Sequence, residues 1–445
     1  MSTPTTTLPV AVIGAGPVGL AAAAHLRDRG LDFVVLEAGD SVGAAVLGWA
    51  HIRTFTPWQY IADPTAEKLL APTGWTRPDT KVPPTGRNLA ESYLEPLAAL
   101  FGEKIRLGQR VVAVSREGLD KSRTLGRAGR PFLLRVQDST GQVTELRARA
   151  VIDASGTWEQ RNPLGSSGLP ALGEDQAQEF LVGPLPDVLG ADRSRFAGRR
   201  TLVVGAGHSA ANTLLNLGRL AKLAPGTRVV WAIRGGSPSK VYGGEGADEL
   251  AERGQLGSDL HRLVDSGVVE LITGFLTTSL EVNGDTVTVA GTGPDGSERR
   301  IEGVHNIAAA TGFRPELAML SELQLDLDPS LEAPRVLGPL VHPDFHSCGS
   351  VEPHGHRELA HPEPGFFIVG MKSYGRAPTF LITTGNEQVR SVVAALAGDT
   401  AAADEVLLVL PETGVCSVDA RGVDVGGGGC GTGDGGPGDG GCCTG

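Results

Sequence analysis

Two glycine-rich turns of one kind recur in this chain, Gly14-Ala-Gly16-Pro-Val-Gly19 and Gly205-Ala-Gly207-His-Ser209-Ala. Each begins where a short apolar run stops, Val10-Ala-Val-Ile13 and Thr201-Leu-Val-Val204, and each continues into an Ala/Leu-rich stretch of helical character. The pattern is strand, tight turn, helix. Its first glycine allows the turn, its second lets a backbone approach a pyrophosphate, and its third position must be small so that helix and strand pack closely. The helix N-terminus then turns free N–H groups and the positive end of its dipole toward the phosphates. Two such units in one chain predict two bound dinucleotides.

The residues that follow separate the two sites. A second apolar run, Phe33-Val-Val-Leu36, ends in Glu37, about 20 residues on, where this arrangement places an acid against ribose hydroxyls. The matching run of the second unit, Arg228-Val-Val-Trp-Ala-Ile233, ends in Arg234, and its turn carries Ser209-Ala210 where the third glycine would stand. A carboxylate there would repel a 2′-phosphate, whereas a guanidinium grips one with paired hydrogen bonds. The second site therefore reads as one for NADPH in preference to NADH. The competing reading of Arg234 is a solvated surface charge.

A chain of 445 residues has ample core for two or three domains. Its net charge of -12 argues against nucleic acid and anionic membrane as partners. The longest apolar run, Val10 to Ala24, is broken by the first glycine turn, and no basic segment precedes it. Neither a signal peptide nor a membrane span is expected, which predicts a cytoplasmic protein with its five cysteines reduced.

The remaining pattern predicts an α/β fold of two Rossmann-like domains, one interrupted by the other. Alternating runs over 130–137 and 142–150 flank Asp138-Ser-Thr-Gly141 and read as a hairpin. The small-residue strand Ala150-Val-Ile-Asp153-Ala-Ser-Gly156 is echoed by Asn306-Ile-Ala-Ala-Ala310-Thr311-Gly312-Phe-Arg-Pro315, one before and one after the second glycine unit. The expected division is 1–170 for the first part of the first domain, 171–304 for the inserted domain, and 305–410 for the return. A flexible Gly/Cys-rich tail is expected over 411–445. The irregular, Pro- and Trp-rich stretch 42–96 is expected to wrap part of a ligand site.

This set of motifs resembles flavoproteins with two dinucleotide-binding domains, especially flavin-containing monooxygenases and similar oxidoreductases of arsenic-resistance operons. The resemblance rests on the first glycine turn with Glu37, the Gly156 and Thr311-Gly312 strands, the second glycine turn, and the closing segment Gly365-Phe-Phe-Ile-Val-Gly370. It implies FAD at Gly14, Gly16, Gly19 and Glu37, with Gly156, Thr311, Gly312 and Gly370 as further cofactor contacts. NADPH falls at Gly205, Gly207, Ser209 and Arg234. It also implies hydride transfer from NADPH to FAD and then oxygen transfer to a small soft nucleophile, a nitrogen, sulfur or metalloid centre, with molecular oxygen as co-substrate. Two departures bear on this. The F-x-G-x-x-x-H motif usual before the second turn is absent, with no histidine between His51 and His208, and no closely spaced cysteine pair occurs before residue 430.

Catalytic candidates come from two stretches. Thr56 and Trp58 lie in Gly48-Trp-Ala-His-Ile-Arg-Thr-Phe-Thr-Pro-Trp58, which looks like the stretch passing near the isoalloxazine in these flavoproteins. Lys372, Tyr374 and Arg376 lie in the loop after the last strand. For each, packing in a core or solvation at the surface is the competing role. Five histidines, His342, His346, His354, His356 and His361, share a Pro/Gly-rich loop with Cys348. Their spacing matches no standard metal site, so the loop reads as a lid in which His354 or His356 donates a proton. Cys442 and Cys443, near the end of the tail, offer an alternative: a metal(loid) or disulfide reductase whose mobile thiols reach the flavin. A non-catalytic flavin redox sensor is a second alternative, and a homodimer is the default assembly. Leu410-Pro-Glu-Thr-Gly414 matches a sortase signal but is not followed by an apolar anchor.

Overall fold

The computed structural model describes residues 8–243, 251–344, 353–377 and 380–408. Val10–Ile13 and Phe33–Leu36 are buried throughout, as strands covered on both faces must be, and pair in parallel with Ile13 opposite Leu36. Ala150–Asp153 flanks Val10–Ile13 on its other side, with Phe366–Ile368 beyond it and Ile105–Arg106 at the far edge. A second five-stranded sheet is centred on Arg200–Val204. Arg228–Ala232 and Val269–Ile272 lie to one side, Asn306–Ala309 and Leu181–Val182 to the other.

Each parallel sheet packs one face against a three-stranded antiparallel sheet. Gln109–Arg116, Phe132–Asp138 and Val143–Ala148 cover the first, bringing Val111, Leu134 and Val136 onto Ala11, Ile13 and Val34. Leu276–Asn283, Thr286–Thr292 and Glu298–Val304 cover the second, bringing Leu280, Val287 and Val289 onto Leu202 and Val204. The opposite faces carry helices. Pro17–Asp28 presents Ala21 to Ala24 without exposed surface, and these small side chains let it lie close to its sheet and to Val389, Val392 and Val393 of Ile382–Leu396. His208–Leu223 buries Leu214, Leu217 and Leu220 against the second sheet.

One expectation is corrected. Asn306–Ala309 does not open the return to the first domain; it hydrogen-bonds in parallel to Arg200–Val204 and completes the second sheet. Its likeness to Ala150–Asp153 arises because both are central strands beside a glycine unit, needing small buried residues on either face. The hairpin forms as expected, with Phe132–Asp138 antiparallel to Val143–Ala148. No helix of the described residues is long and apolar enough to cross a membrane.

Candidate functional site

The first glycine turn is shaped by close approach on one side and openness on the other. Gly14 has φ +99, and a Cβ there would lie 2.8 Å from the Ala154 carbonyl oxygen, so only glycine fits. Gly16 has an ordinary extended backbone, φ −78, yet a Cβ built on it would meet no protein atom within 4 Å. Protein packing does not require that glycine; a ligand lying on the turn would. Glu37 braces the turn from the next strand, its carboxylate accepting the Ala15 N–H at 2.6 Å and the Gly39 N–H at 2.8 Å.

The second turn repeats the logic. Gly205 has φ +129, and a Cβ there would lie 2.0 Å from the Ala310 carbonyl oxygen, while the Gly207 face is open to 4 Å. Trp231, which no motif marks, donates its indole N–H to the Gly205 oxygen at 2.8 Å and holds the turn from below. Arg234 is exposed at the end of this strand pair, its guanidinium 3.5 Å from the Ser166 oxygen. Ser209 is half-buried in the first turn of the helix. At both turns the second glycine faces open space beside the N-terminus of a helix, whose first N–H groups have no partner within the helix.

Gly156 and Thr311-Gly312 sit where the two domains join. The chain crosses outward after Gly156 and back after Gly312, and the crossings lie side by side. Thr311 Oγ1 donates to the Asn162 oxygen at 2.6 Å, the Asn162 N–H donates to the Gly312 oxygen at 3.0 Å, and Asn162 Nδ2 donates to the Thr311 oxygen at 3.2 Å. Trp158 stacks on Phe313 with ring centroids 5.3 Å apart. The first-domain wrap also crosses over: Phe55 packs on the second domain's core and meets the His208 ring at 4.9 Å.

Most of the expected catalytic side chains are committed elsewhere. Trp58 is core, 3% exposed and edge-on to Tyr93. Thr56 is buried, its backbone oxygen accepting from Thr54 Oγ1. Lys372 is not solvated at a loop: it is fully buried and donates to Asp153 Oδ2 at 2.7 Å and Ser155 Oγ at 3.1 Å. Tyr374 is buried against Phe380, and desolvation pushes its hydroxyl far above the ordinary tyrosine range despite a hydrogen bond with Thr384. Arg376 pairs with Glu332 at the surface. His354 is buried and bound to Gln388. Cys442, Cys443, His346 and Cys348 lie outside the described residues, and among those described no group of three side chains is arranged to hold a metal.

The scaffold is thus one of two α/β domains with a dinucleotide-type glycine turn in each. The chain belongs to the pyridine nucleotide-disulphide oxidoreductase family, whose model matches residues 11–335. Over 62 residues it is 47% identical to a flavin-containing monooxygenase of Arabidopsis thaliana, a match covering 14% of this chain and 13% of that protein. The chain spans about half the length, or less, of the curated relatives it matches. Among solved structures, the bacillithiol disulfide reductase of Bacillus cereus superposes with a TM-score of 0.64 at 18% identity, over 88% of this chain and 99% of that one. A cadaverine monooxygenase of Erwinia amylovora, solved with FAD, superposes with a TM-score of 0.59 at 15% identity, over 88% and 95%.

Proposed function

We propose that the chain is an NADPH-dependent FAD oxidoreductase of the monooxygenase-like branch, acting on a small molecule with a soft nitrogen, sulfur or metalloid centre. The observation that carries this reading is the pair of open glycine cradles with opposite companions, Glu37 at the first and Arg234 at the second. Gly16 would let FAD approach the backbone, with Gly14 and Gly19 keeping turn, strand and helix packed beneath it and Glu37 toward its ribose. Gly205, Gly207 and Ser209 would hold the NADPH pyrophosphate, with Arg234 on the 2′-phosphate. Gly156, Gly370, Thr311 and Gly312 would border the space between the two. Bound FAD supplies a two-electron acceptor for NADPH that oxygen can reoxidise. The protein's part is to align the two cofactors and exclude water, which the buried side chains around Gly370 and the paired crossings favour.

The cysteines are where the disulfide-reductase alternative can be tested. All five, Cys348, Cys416, Cys430, Cys442 and Cys443, fall outside the described residues, so the described core brings no thiol pair to either cradle. Disulfide exchange begins with a thiolate attacking a disulfide sulfur, so that reading needs a thiol from beyond the described residues. The experiment compares the full chain with one truncated after Gly414, following the flavin spectrum, NADPH oxidation, and oxygen incorporation into a thioether, an amine or arsenite. Oxygenated product unchanged by truncation is the expected result. Turnover of a disulfide, mercurial or arsenical that disappears with Cys442 and Cys443 would overturn it in favour of a reductase. Bound flavin without NADPH oxidation under any of these substrates would leave a redox sensor.

A further inference from the structure

A buried hydrogen-bonded chain runs from the histidine-rich loop to the Gly370 turn, and its proton positions can be deduced. The Gly370 N–H donates to Gln388 Oε1 at 2.7 Å; Gln388 Nε2 lies 2.9 Å from Ser373 Oγ and 2.8 Å from His354 Nε2; Ser373 Oγ donates to the Gly370 oxygen at 2.7 Å. His354, Gln388 and Ser373 are all at most 3% exposed. A backbone N–H can only donate, so the Gln388 atom facing it must be the carbonyl oxygen. Both Nε2 hydrogens of Gln388 then go to Ser373 and His354. His354 Nε2 must accept, which places the ring proton on Nδ1 and leaves the imidazole neutral.

Reversing any one group breaks the chain. If His354 Nε2 carried hydrogen, donor would face donor, and turning the Gln388 amide to relieve this would set its NH2 against the Gly370 N–H. The turn being held matters for the first cradle. Gly370, at φ +70, packs so closely on the first dinucleotide helix that a Cβ there would lie 3.3 Å from Val18 Cβ, and one on Gly385 would lie 2.5 Å from Val18 Cγ2. Val18 is the second residue of Pro17–Asp28. Lys372 anchors the same turn to Asp153 and Ser155, and Tyr374 anchors it to Phe380.

We infer that His354 is a positioning residue: as an acceptor it orients Gln388, which with Ser373 fixes both polar groups of Gly370 against the first nucleotide cradle. In this role the buried ring serves Gln388 through its Nε2 lone pair, which is thereby engaged within the protein. The inference rests on reading that cradle as the flavin site.

Two measurements test it. In the full chain labelled with 15N-histidine, with His354→Gln supplying the assignment, the His354 ring should show an unprotonated Nε2 and a protonated Nδ1. Flavin release on dilution, followed by free-flavin fluorescence, should be about tenfold faster in His354→Leu, which strands a buried donor of Gln388, and within about threefold of the parent in His354→Gln, whose carbonyl can accept instead. Should His354→Leu fail to fold, Ser373→Ala replaces it and should release flavin several-fold faster. A protonated Nε2, or equal release from the Leu, Gln and Ala variants and the parent, overturns the inference. A purified parent chain without flavin would instead overturn the flavin reading, and the tautomer would still decide the network.

Discussion

Gly14 and Gly16 stand two positions apart, yet each is glycine for a different reason, and substitution separates them. Gly14→Ala forces a side chain into a left-handed backbone and onto the Ala154 oxygen, which costs about 1–3 kcal/mol of folding stability. Gly16→Ala meets no protein and no backbone strain; thermal unfolding should show stability unchanged or raised by up to about 1 kcal/mol, while the flavin spectrum of the purified protein is lost. A Gly16→Ala protein that retained flavin in full would sink the assignment of that cradle. This contrast is half legible in the sequence: the motif names both glycines but not which one protein packing demands. Lys372 is less legible still. A lysine after a strand ordinarily points to water, and its partner Asp153 is 219 residues away. Removing one member of such a fully buried pair is expected to cost about 3–5 kcal/mol. Lys372→Met should therefore melt well below the parent, and the double variant with Asp153→Leu should recover much of the loss. If the single variant were as stable as the parent, the pair would be contributing nothing.

Among elements, the strands before each glycine turn and the 132–148 hairpin can be read because their signals are local: apolar runs, period-two alternation and an Asp-Ser-Thr-Gly turn. Sheet membership of Asn306–Ala309 cannot, because a small-residue strand suits either sheet and only pairing decides. The segment before the last strand reads as a lid in the sequence, yet its described part is tied down by charges whose partners are remote. Glu363 is buried between Arg116 and Arg127, accepting from each Nε at 2.7 Å and from the Gln324 N–H at 3.0 Å. Burial alone would raise its carboxyl, but the Gln324 N–H and the two guanidiniums hold it below the usual range. That contribution is complete above the unfolded value and fades as pH falls through the lower folded one. His361 acts in a separate window. Burial pushes its imidazole from 6.5 down to about 4, so between those values the unfolded chain binds a proton that the fold refuses. Stability should fall by about 3 kcal/mol as pH drops from 6.5 to 4 and stop falling on that account below it. Denaturant titrations at several pH values should show this slope in the parent and its absence in His361→Phe, with the Glu363 window below pH 4.5 intact in both. A parent curve flat between pH 6.5 and 4 would mean that His361 titrates as if exposed.

For the whole molecule, the question is what holds one cradle in register with the other, since the proposed hydride transfer would tolerate little misplacement. The two crossings between domains supply the answer in their pairing. Asn162 joins them through four hydrogen bonds: two from its own backbone groups and two from Nδ2, which reaches the Thr311 and Phe313 oxygens at 3.2 and 3.4 Å. Nothing in the local sequence announces this, because each crossing alone is an irregular loop after a glycine; the specificity lies between segments 149 residues apart. Asn162→Ala keeps the backbone pair and the Trp158–Phe313 stack but removes both Nδ2 bonds. Neither cradle contacts that side chain through any bond described, so affinities for flavin and NADPH should stay within about twofold. The angle between domains, however, is less defined, and a shift approaching 1 Å at the meeting point can cost up to about a hundredfold. We expect NADPH to reduce the bound flavin about three- to tenfold more slowly in Asn162→Ala, measured by anaerobic stopped flow at saturating NADPH. An unchanged rate would place the register elsewhere, at the Phe55–His208 contact first. Loss of either affinity would instead mean that the crossings build the cradles themselves, in addition to spacing them.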